Sequence, residues 1–303
     1  MRLGSMTCVD LFAGAGGFSE GARRAGCRVV WAANHWRAAV DCHVQNHPET
    51  EHSCQDLQQA NWDVVPRHDL LLASPCCQGH SRARGTDRPH HDAARATAWA
   101  VVSCAEAHRP EFVVVENVPE FAQWVLYTAW TAALKALGYS LSGDIHDAAD
   151  YGVPQHRRRL FVIGVRGKSP RWLRCPRRDH VPASMIIDPK AGGWSPVAEK
   201  VAATRARIAA GRADHGRRFL MAYYGNEKGG RSLDRPIGTV TTRDRYALVD
   251  GDLMRMLTAG EYRAAMGFPG SYRLPSSTTI AKRLLGNAVC PPVAEGLIRQ
   301  LAA

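Results

Sequence analysis

The sequence lacks the features that would place it in several common protein classes. None of its apolar runs approaches the roughly 20 residues of a membrane-spanning helix, and no secretory signal pattern opens it. Its nine cysteines are irregularly spaced and contain no Cys-x-x-Cys pair, which argues against a zinc site and against a disulfide framework. The chain contains no internal repeat. We therefore expect a protein of a reducing cytosol, with no metal ion and no membrane contact.

The chain does carry a large apolar content and an excess of basic residues. It has 303 residues, of which 45% are hydrophobic, enough for one large or two smaller domains. Its formal net charge of +11 favours a polyanionic partner, meaning DNA or RNA. A basic surface without such a partner is the alternative.

The beginning of the chain predicts a strand, a glycine turn and a helix. Residues 8–12 suit a short buried strand, the turn lies at 14–17, and 18–25 suit a helix. Glycines let a backbone approach a ligand closely, and a helix N-terminus favours negative charge. Ser19 stands where the dinucleotide fingerprint GxGxxG would need its third glycine, which disfavours a nicotinamide cofactor.

The next two turns offer candidate ligand contacts. Residues 28–34 predict the second strand, after which such folds usually present a carboxylate to a ribose; Asn34 and His35 stand here instead. Trp36 could stack on a purine or cap the sheet. Asp56 could accept a hydrogen bond from an adenine amino group, although an Asp in a turn is more often turn chemistry alone.

Two further predicted strands carry a thiol and a carboxylate to their ends. The apolar run 70–73 ends in Ser74-Pro75 and two adjacent cysteines, and the central strand 112–115 ends at Glu116. The carboxyl ends of parallel strands meet at one edge, where open α/β folds place their chemistry. A carboxylate is seldom buried there without a function or a partner. The alternative is that both cysteines are ordinary small residues at the end of a strand.

The second half of the chain differs from the first in its sequence pattern. Residues 160–164 predict a strand, and alternation places Arg157 and Arg159 on one face, which suggests an anionic or carbonyl-rich ligand. Beyond about residue 167 the α/β alternation is lost, so we expect a separate small domain. Its segment 223–231 is glycine-rich, aromatic and basic, which suits a loop that reads nucleic acid.

Six motifs together resemble the cytosine-C5 DNA methyltransferase family and follow the family's order. They are DLFAGAGG (10–17), PCCQGHS (75–81), ENV (116–118), QHRRR (155–159), RPIGTV (235–240) and GNAV (286–289). The resemblance implies a doubly wound, mostly parallel α/β sheet of the class I methyltransferase, Rossmann-like type. It also implies a smaller, irregular β-rich target-recognition domain. We predict a catalytic and cofactor-binding domain at 1–187, the recognition domain at 188–257, and a return to the catalytic domain at 258–303.

The resemblance implies a DNA (cytosine-5)-methyltransferase that flips a target cytosine out of duplex DNA. Cys77 would attack carbon 6, and a methyl group from S-adenosyl-L-methionine would pass to carbon 5, leaving S-adenosyl-L-homocysteine. Two alternatives are a cytosine-C5 tRNA methyltransferase and a non-catalytic DNA-binding relative. Duplex DNA is the expected partner, a cognate restriction endonuclease is a candidate partner, and we expect a monomer in a bacterial cytosol or nucleoid.

The family's functional residues carry over position by position. The implied catalytic residues are Cys77, Glu116, Arg157 and Arg159. The implied cofactor-binding residues are Phe12, Gly14, Gly16, Gly17, His35, Trp36, Asp56, Leu57, Pro75, Asn287 and Val289. The implied DNA-binding residues are Gln78, Ser81, Arg82, Arg84, Tyr224, Asn226, Lys228, Arg231, Thr239 and Arg243. Within these sets, Glu116 would protonate N3, Arg159 would hold O2, and Arg157 would hold the thiol loop or a phosphate.

The sequence departs from the family motifs at two positions. The family places proline directly before its catalytic Cys-Gln pair, whereas Cys76 here separates Pro75 from Cys77. Gln78 fixes the register, so Cys77 is the expected nucleophile. His35 stands where the family usually has glutamate at the ribose.

Overall fold

The computed structural model describes residues 3–76, 96–224, 227 and 229–302. Its larger sheet has seven strands in the order β3-β2-β1-β4-β5-β7-β6. The strands are β1 Thr7–Leu11, β2 Arg28–Asn34, β3 Glu51–Cys54, β4 Leu70–Ala73, β5 Phe112–Asn117, β6 Tyr139–Asp147 and β7 Arg158–Arg166. Strands β1 to β5 pair in parallel, and β7 runs antiparallel to both of its neighbours. The sheet is therefore mostly parallel, as predicted.

Both faces of the sheet are covered, because its central strands are apolar on both sides. Leu70, Leu72 and Val114 belong to one buried cluster, whereas Leu71 and Val113 belong to another. The helices of this part are α1 Gly17–Ala25, α2 Arg37–Asn46, α3 Trp99–His108 and α4 Tyr127–Ala136. This two-sided packing is the doubly wound arrangement that near-continuous apolar strands indicate.

A separate antiparallel sheet of five strands follows, in the order β10-β9-β11-β12-β8. The strands are β8 Ser195–Pro196, β9 Arg218–Ala222, β10 Gly230–Arg231, β11 Tyr246–Asp250 and β12 Leu253–Met256. Helix α5, Ala202–His215, packs on this sheet where Gly211 approaches the Phe219 ring. The boundaries of this domain stay a prediction.

The chain then returns to the large sheet through α6 Ala259–Ala265, α7 Thr278–Asn287 and α8 Pro291–Ala302. Arg255 on β12 and Glu261 on α6 form an ion pair of 2.6 Å, with both side chains 1% exposed. Glu261 also completes a capping box with Thr258. The pair thereby fixes the small sheet to α6. Every helix in the described part of the chain is too short or too polar to cross a membrane.

Strand β6 and helix α5 are among the elements that were not predicted from the sequence. Strand β6 carries the polar sequence YSLSGDIHD and is only partly buried, so it lacks the apolar run that identified the central strands. Helix α5 buries only Ile208 and Gly211 along its 14 residues. Its alanines and arginines show no apolar stripe, and such a stripe is the main signal of a helix in a sequence.

Candidate active site

The carboxyl ends of β1, β2, β4 and β5 open onto one cleft with about 900 Å³ of empty volume. Its walls include six of the predicted cofactor residues, namely Phe12, Gly14, His35, Trp36, Pro75 and Asn287. They also include Glu116, Arg157 and Arg159. The edge of the sheet therefore brings the predicted cofactor and catalytic residues into one cleft.

The glycine turn after β1 forms the floor of this cleft through unusual backbone angles. Phe12, Gly14 and Gly16 have φ of 60°, 57° and 77°, a region that L-residues other than glycine rarely adopt. A Cβ on Gly17 would stand 2.0 Å from the Val289 carbonyl oxygen. Gly17 and Val289 thus shape the turn from beneath by backbone contact. Neither they nor Gly16 are among the residues that line the cleft.

Asp56 and Leu57 also lie outside the lining of the cleft. The Asp56 side chain is exposed and accepts a hydrogen bond of 3.0 Å from the Gln58 backbone N–H. Leu57 is 2% exposed within the apolar cluster on one face of the sheet. Asp56 therefore caps its own turn in this structure, and its contact with an adenine amino group stays a prediction.

The wall at the end of β2 is aromatic and cationic. The Arg283 guanidinium lies 4.6 Å from the centre of the Trp36 ring, and His35 is exposed beside it. Asn34 turns inward and its side-chain oxygen accepts from the Trp36 backbone N–H at 2.9 Å. Glu116 is the only carboxylate among the described residues that line the cleft, so this wall presents no acidic group.

Glu116, one residue before the end of β5, is a buried carboxyl group with a charged partner. Its Oε1 lies 3.1 Å from Arg159 Nε. Burial raises the pKa of Glu116, while Arg159 and then Arg157 oppose that rise. The Glu116 side chain is thus more readily protonated than an exposed glutamate, which suits a proton donor.

Arg157 takes a different role from its neighbour. It is 3% exposed, and its guanidinium donates to the carbonyls of Val240, Gly286 and Ala288, each at 2.9 Å. Gln155 supports the same junction, since its side-chain oxygen accepts from the Val240 N–H at 2.7 Å. QHRRR therefore joins RPIGTV to GNAV, a contact that the sequence did not predict for Arg157.

The chain that enters the thiol loop is fixed at its start. The Asn117 side-chain amide donates to the Pro75 carbonyl at 3.1 Å, and the Cys76 N–H donates to Thr97 Oγ1 at 3.0 Å. Strands β4 and β5 pair in parallel with Ala73 opposite Val115, which brings Pro75 beside Asn117. Neither Asn117 nor Thr97 was a predicted site residue, although Asn117 stands within ENV.

A buried polar network lies beneath the glycine turn. Asp10 Oδ2 accepts from the Ser19 hydroxyl at 2.7 Å, and His43 Nε2 lies 2.9 Å from the same hydroxyl. His43 Nδ1 lies 2.7 Å from His52 Nε2. Burial raises the pKa of Asp10 to about 7. The argument against a zinc site from cysteine spacing does not cover His43 and His47, which form a His-x-x-x-His pair. No group of described residues, however, is arranged to hold a metal ion.

Part of the predicted DNA surface forms an aromatic and basic cluster at the edge of the small sheet. The Arg231 and Arg245 guanidinium groups each lie 5.7 Å from the Tyr224 ring centre. The Tyr224 hydroxyl donates to the Thr239 carbonyl at 3.0 Å, and the Thr239 hydroxyl donates to the His156 carbonyl at 2.9 Å. Arg243 is exposed on the following turn.

Several predicted residues lie outside the described part of the chain. They are Cys77, Gln78, Ser81, Arg82, Arg84, Asn226 and Lys228. Their roles stay predictions.

The family model for C-5 cytosine-specific DNA methylase matches residues 6–185 and 190–303. The chain is 26% identical to type II methyltransferase M.NlaX of Neisseria lactamica over 304 residues, covering 97% of this chain and 96% of that protein. It is 27% identical to M.HhaI of Haemophilus parahaemolyticus over 308 residues, covering 95% and 91%. Its 32% identity to M.AgeI of Thalassovita gelatinovora extends over 53% of this chain and 39% of that relative.

Solved structures share the fold. A prophage-encoded DNA modification methyltransferase from E. coli superimposes with a TM-score of 0.71 at 20% identity, covering 98% of each chain. A DNMT2 mutant of Spodoptera frugiperda gives 0.69 at 19% identity, covering 99% of this chain and 100% of that one. With the family model matched along nearly the whole length, the chain belongs to the C-5 cytosine-specific DNA methylases, which are S-adenosylmethionine-dependent enzymes that act on DNA.

Proposed function

We propose that this DNA cytosine-5 methyltransferase works through Cys77 as nucleophile and Glu116 as acid, on a cytosine flipped out of duplex DNA. The observation that carries the proposal is one shared cleft. Glu116 with its Arg159 partner lines it, the positive-φ turn at Phe12 and Gly14 forms its floor, and Cys76 lies in its wall. Cys77 is the next residue in the chain.

The cleft fits S-adenosylmethionine in its chemistry. Its lining combines apolar and aromatic side chains with a few polar groups, as cofactor sites do, and Trp36 offers an aromatic face to a purine. Gly14 presents bare backbone at the carboxyl end of β1, and α1 begins close by. Phe12, Gly14, His35, Trp36, Pro75 and Asn287 would hold the cofactor, which supplies the methyl group.

Cys77, Glu116 and Arg159 would together overcome the low reactivity of carbon 5 of cytosine. Carbon 5 of cytosine is a poor nucleophile, and a bond from the Cys77 sulfur to carbon 6 converts the ring into an enamine. Electrons displaced toward N3 call for a proton there, which Glu116 provides because burial raises its pKa. Such acid catalysis contributes on the order of 10²–10⁴-fold in rate. Arg159, already fixed beside Glu116, would hold the O2 oxygen.

DNA would approach from the side of the small sheet. Carbon 6 is inaccessible in a stacked duplex, so the base must leave the helix. The cluster of Tyr224, Arg231 and Arg245 offers stacking and cationic groups for that surface, and Arg82 with Arg84 would contact phosphates after Cys77. A cognate endonuclease would be a partner of the reaction system, and we propose a monomer as the acting unit.

The test is transfer of a labelled methyl group from S-adenosylmethionine to mixed-sequence duplex DNA, followed by nucleoside analysis. We expect label in 5-methylcytosine with the wild type and with Cys76→Ser, and a loss of at least about 10²-fold with Cys77→Ser. Equal transfer by wild type and Cys77→Ser would refute the proposed nucleophile. Label in tRNA but not in duplex DNA would refute the proposed substrate.

A further inference from the structure

Glu116 borders a second, smaller cavity that the proposed chemistry leaves unused. This cavity has about 210 Å³ of empty volume and shares Glu116, Arg157 and Arg159 with the cleft. Its other walls include His146, Phe161 and Cys290. It has polar groups on several sides and room for a single water molecule.

The register of the sheet explains why His146 faces this cavity. His146 on β6 stands opposite Arg159 on β7, and Glu116 on β5 stands opposite Phe161 on β7. Arg159 and Phe161 are two residues apart and so project from the same face. The four side chains therefore share one face across three adjacent strands, with His146 and Glu116 at its two ends.

The hydrogen bond between His146 and Tyr151 fixes the imidazole tautomer. The Tyr151 hydroxyl lies 2.8 Å from His146 Nδ1, and this is its only hydrogen bond among the described residues. Tyr151 is 3% exposed and burial raises its pKa, so it keeps its proton and donates to Nδ1. The remaining ring nitrogen, Nε2, then carries the hydrogen and is a donor.

Burial keeps the His146 imidazole neutral. Burial lowers the pKa of His146, against a smaller opposing effect of Asp144 and Asp150. Arg157 and Arg159 line the same cavity. The Cys290 thiol, directly before α8, has its pKa raised to about 11 by burial and is protonated. His146 thus offers Glu116 an N–H dipole rather than a charge.

We propose that His146 is a positioning residue for Glu116, donating through one water molecule in the smaller cavity to the Glu116 carboxyl group. The inference rests on the proposed function. Glu116 gives its proton to N3 as the bond between Cys77 and carbon 6 forms. After methyl transfer the proton on carbon 5 leaves to water, the bond to Cys77 breaks, and Glu116 recovers its proton from N3. His146 neither gains nor loses a proton; its N–H stabilises the carboxylate that exists between the two events.

The test measures single-turnover methyl transfer against pH, with the full chain saturated with duplex DNA and S-adenosylmethionine. His146→Leu should slow transfer about 10- to 100-fold, the loss expected when a hydrogen bond to a charged group is removed. A donor to the charged form lowers an acid's pKa, so its loss should raise the pKa of Glu116. The alkaline limb of the profile, where Glu116 loses its proton, should therefore move to higher pH.

Two variants separate this effect from simple damage to the fold. His146→Gln places an amide N–H near the position of Nε2 and should restore most of the rate. His68→Leu is the matched control, because His68 is also buried but lies before the opposite end of β4; its rate and profile should stay as in the wild type. If His146→Leu does not fold, Tyr151→Phe is the substitute, because it removes the hydrogen bond that fixes the His146 tautomer. It should likewise move the alkaline limb of the pH profile to higher pH.

Combination with Glu116→Gln separates failure of this inference from failure of the proposed acid. Glu116→Gln should itself slow transfer at least about 10²-fold, and adding His146→Leu should slow it no further. Unchanged transfer in Glu116→Gln alone would overturn the acid role. A slow Glu116→Gln whose rate falls again with His146→Leu, or an unshifted limb in His146→Leu and Tyr151→Phe, would overturn the role of His146.

Discussion

Replacement of Arg157 by methionine should destabilise the protein strongly, because this side chain holds the junction of three motifs. Its guanidinium donates to the Val240, Gly286 and Ala288 carbonyls, and only 3% of the residue is exposed. Methionine fills much of the same space but donates no hydrogen bond. The Arg157→Met variant would leave three carbonyls without these bonds in a site where only 3% of the residue is exposed.

The size of the effect follows from those bonds. An unsatisfied buried polar group costs about 1–3 kcal/mol, and removing the charge recovers part of its desolvation cost. Taking the low end for each of the three carbonyls, we expect a loss of about 3 kcal/mol in the free energy of unfolding. At about 2 °C per kcal/mol for a chain of this length, Tm should fall by roughly 6 °C.

Urea unfolding followed by tryptophan fluorescence measures this loss, with Arg158→Met as the matched control. Arg158 is the adjacent arginine and is exposed, so its replacement should change stability by no more than about 0.5 kcal/mol. If Arg157→Met and Arg158→Met unfold at the same urea concentration, the structural role assigned to Arg157 is wrong.

Three further outcomes are expected. Gly17→Ala should abolish binding of S-adenosylhomocysteine in calorimetry, since its Cβ would stand 2.0 Å from the Val289 oxygen, whereas Gly192→Ala, with open space around it, should bind normally. Trp36→Ala should weaken binding of S-adenosylhomocysteine about 10-fold, equivalent to about 1.4 kcal/mol. Trp172 is 69% exposed, and Trp172→Ala should bind as the wild type does. Equal affinities of the Trp36→Ala and Trp172→Ala variants would exclude Trp36 from the cofactor site. Burial lowers the pKa of His68 from 6.5 to about 4, so as pH falls the unfolded chain binds a proton at His68 before the folded protein does. The free energy of unfolding should therefore fall by about 3 kcal/mol as pH drops from 6.5 to 4. In urea titrations at several pH values His68→Leu should lose less stability over this range, and the same loss as in the wild type would contradict the role of His68.

The sequence was most informative where the apolar pattern was continuous. Strands β2 and β4 begin and end at the predicted residues, because runs such as LLLA bury every side chain. Glycine turns and motif order predicted the doubly wound sheet and the family. Strand β6 and helix α5 were missed, since each buries few residues and their stability depends on neighbours in space.

The site was predictable in its parts but not in its contacts. The motifs brought Glu116 and Arg159 together as expected, yet nothing in QHRRR indicates that Arg157 would reach carbonyls more than 80 residues away. The Arg283 contact with Trp36 joins α7 to the end of β2, and His146 reaches its cavity only through the register of an edge strand. Such pairings are set by strand order, which a single sequence does not specify.

The most direct test of the proposed mechanism is covalent trapping on duplex DNA that carries 5-fluorocytosine, followed by peptide mapping of the adduct. Fluorine at carbon 5 cannot leave as a proton, so the bond to the attacking sulfur should persist after methyl transfer. We predict a methylated adduct on Cys77 that forms in Cys76→Ser and is lost in Cys77→Ser. An adduct on Cys76, or methylation of ordinary cytosine by Cys77→Ser at the wild-type rate, would contradict it.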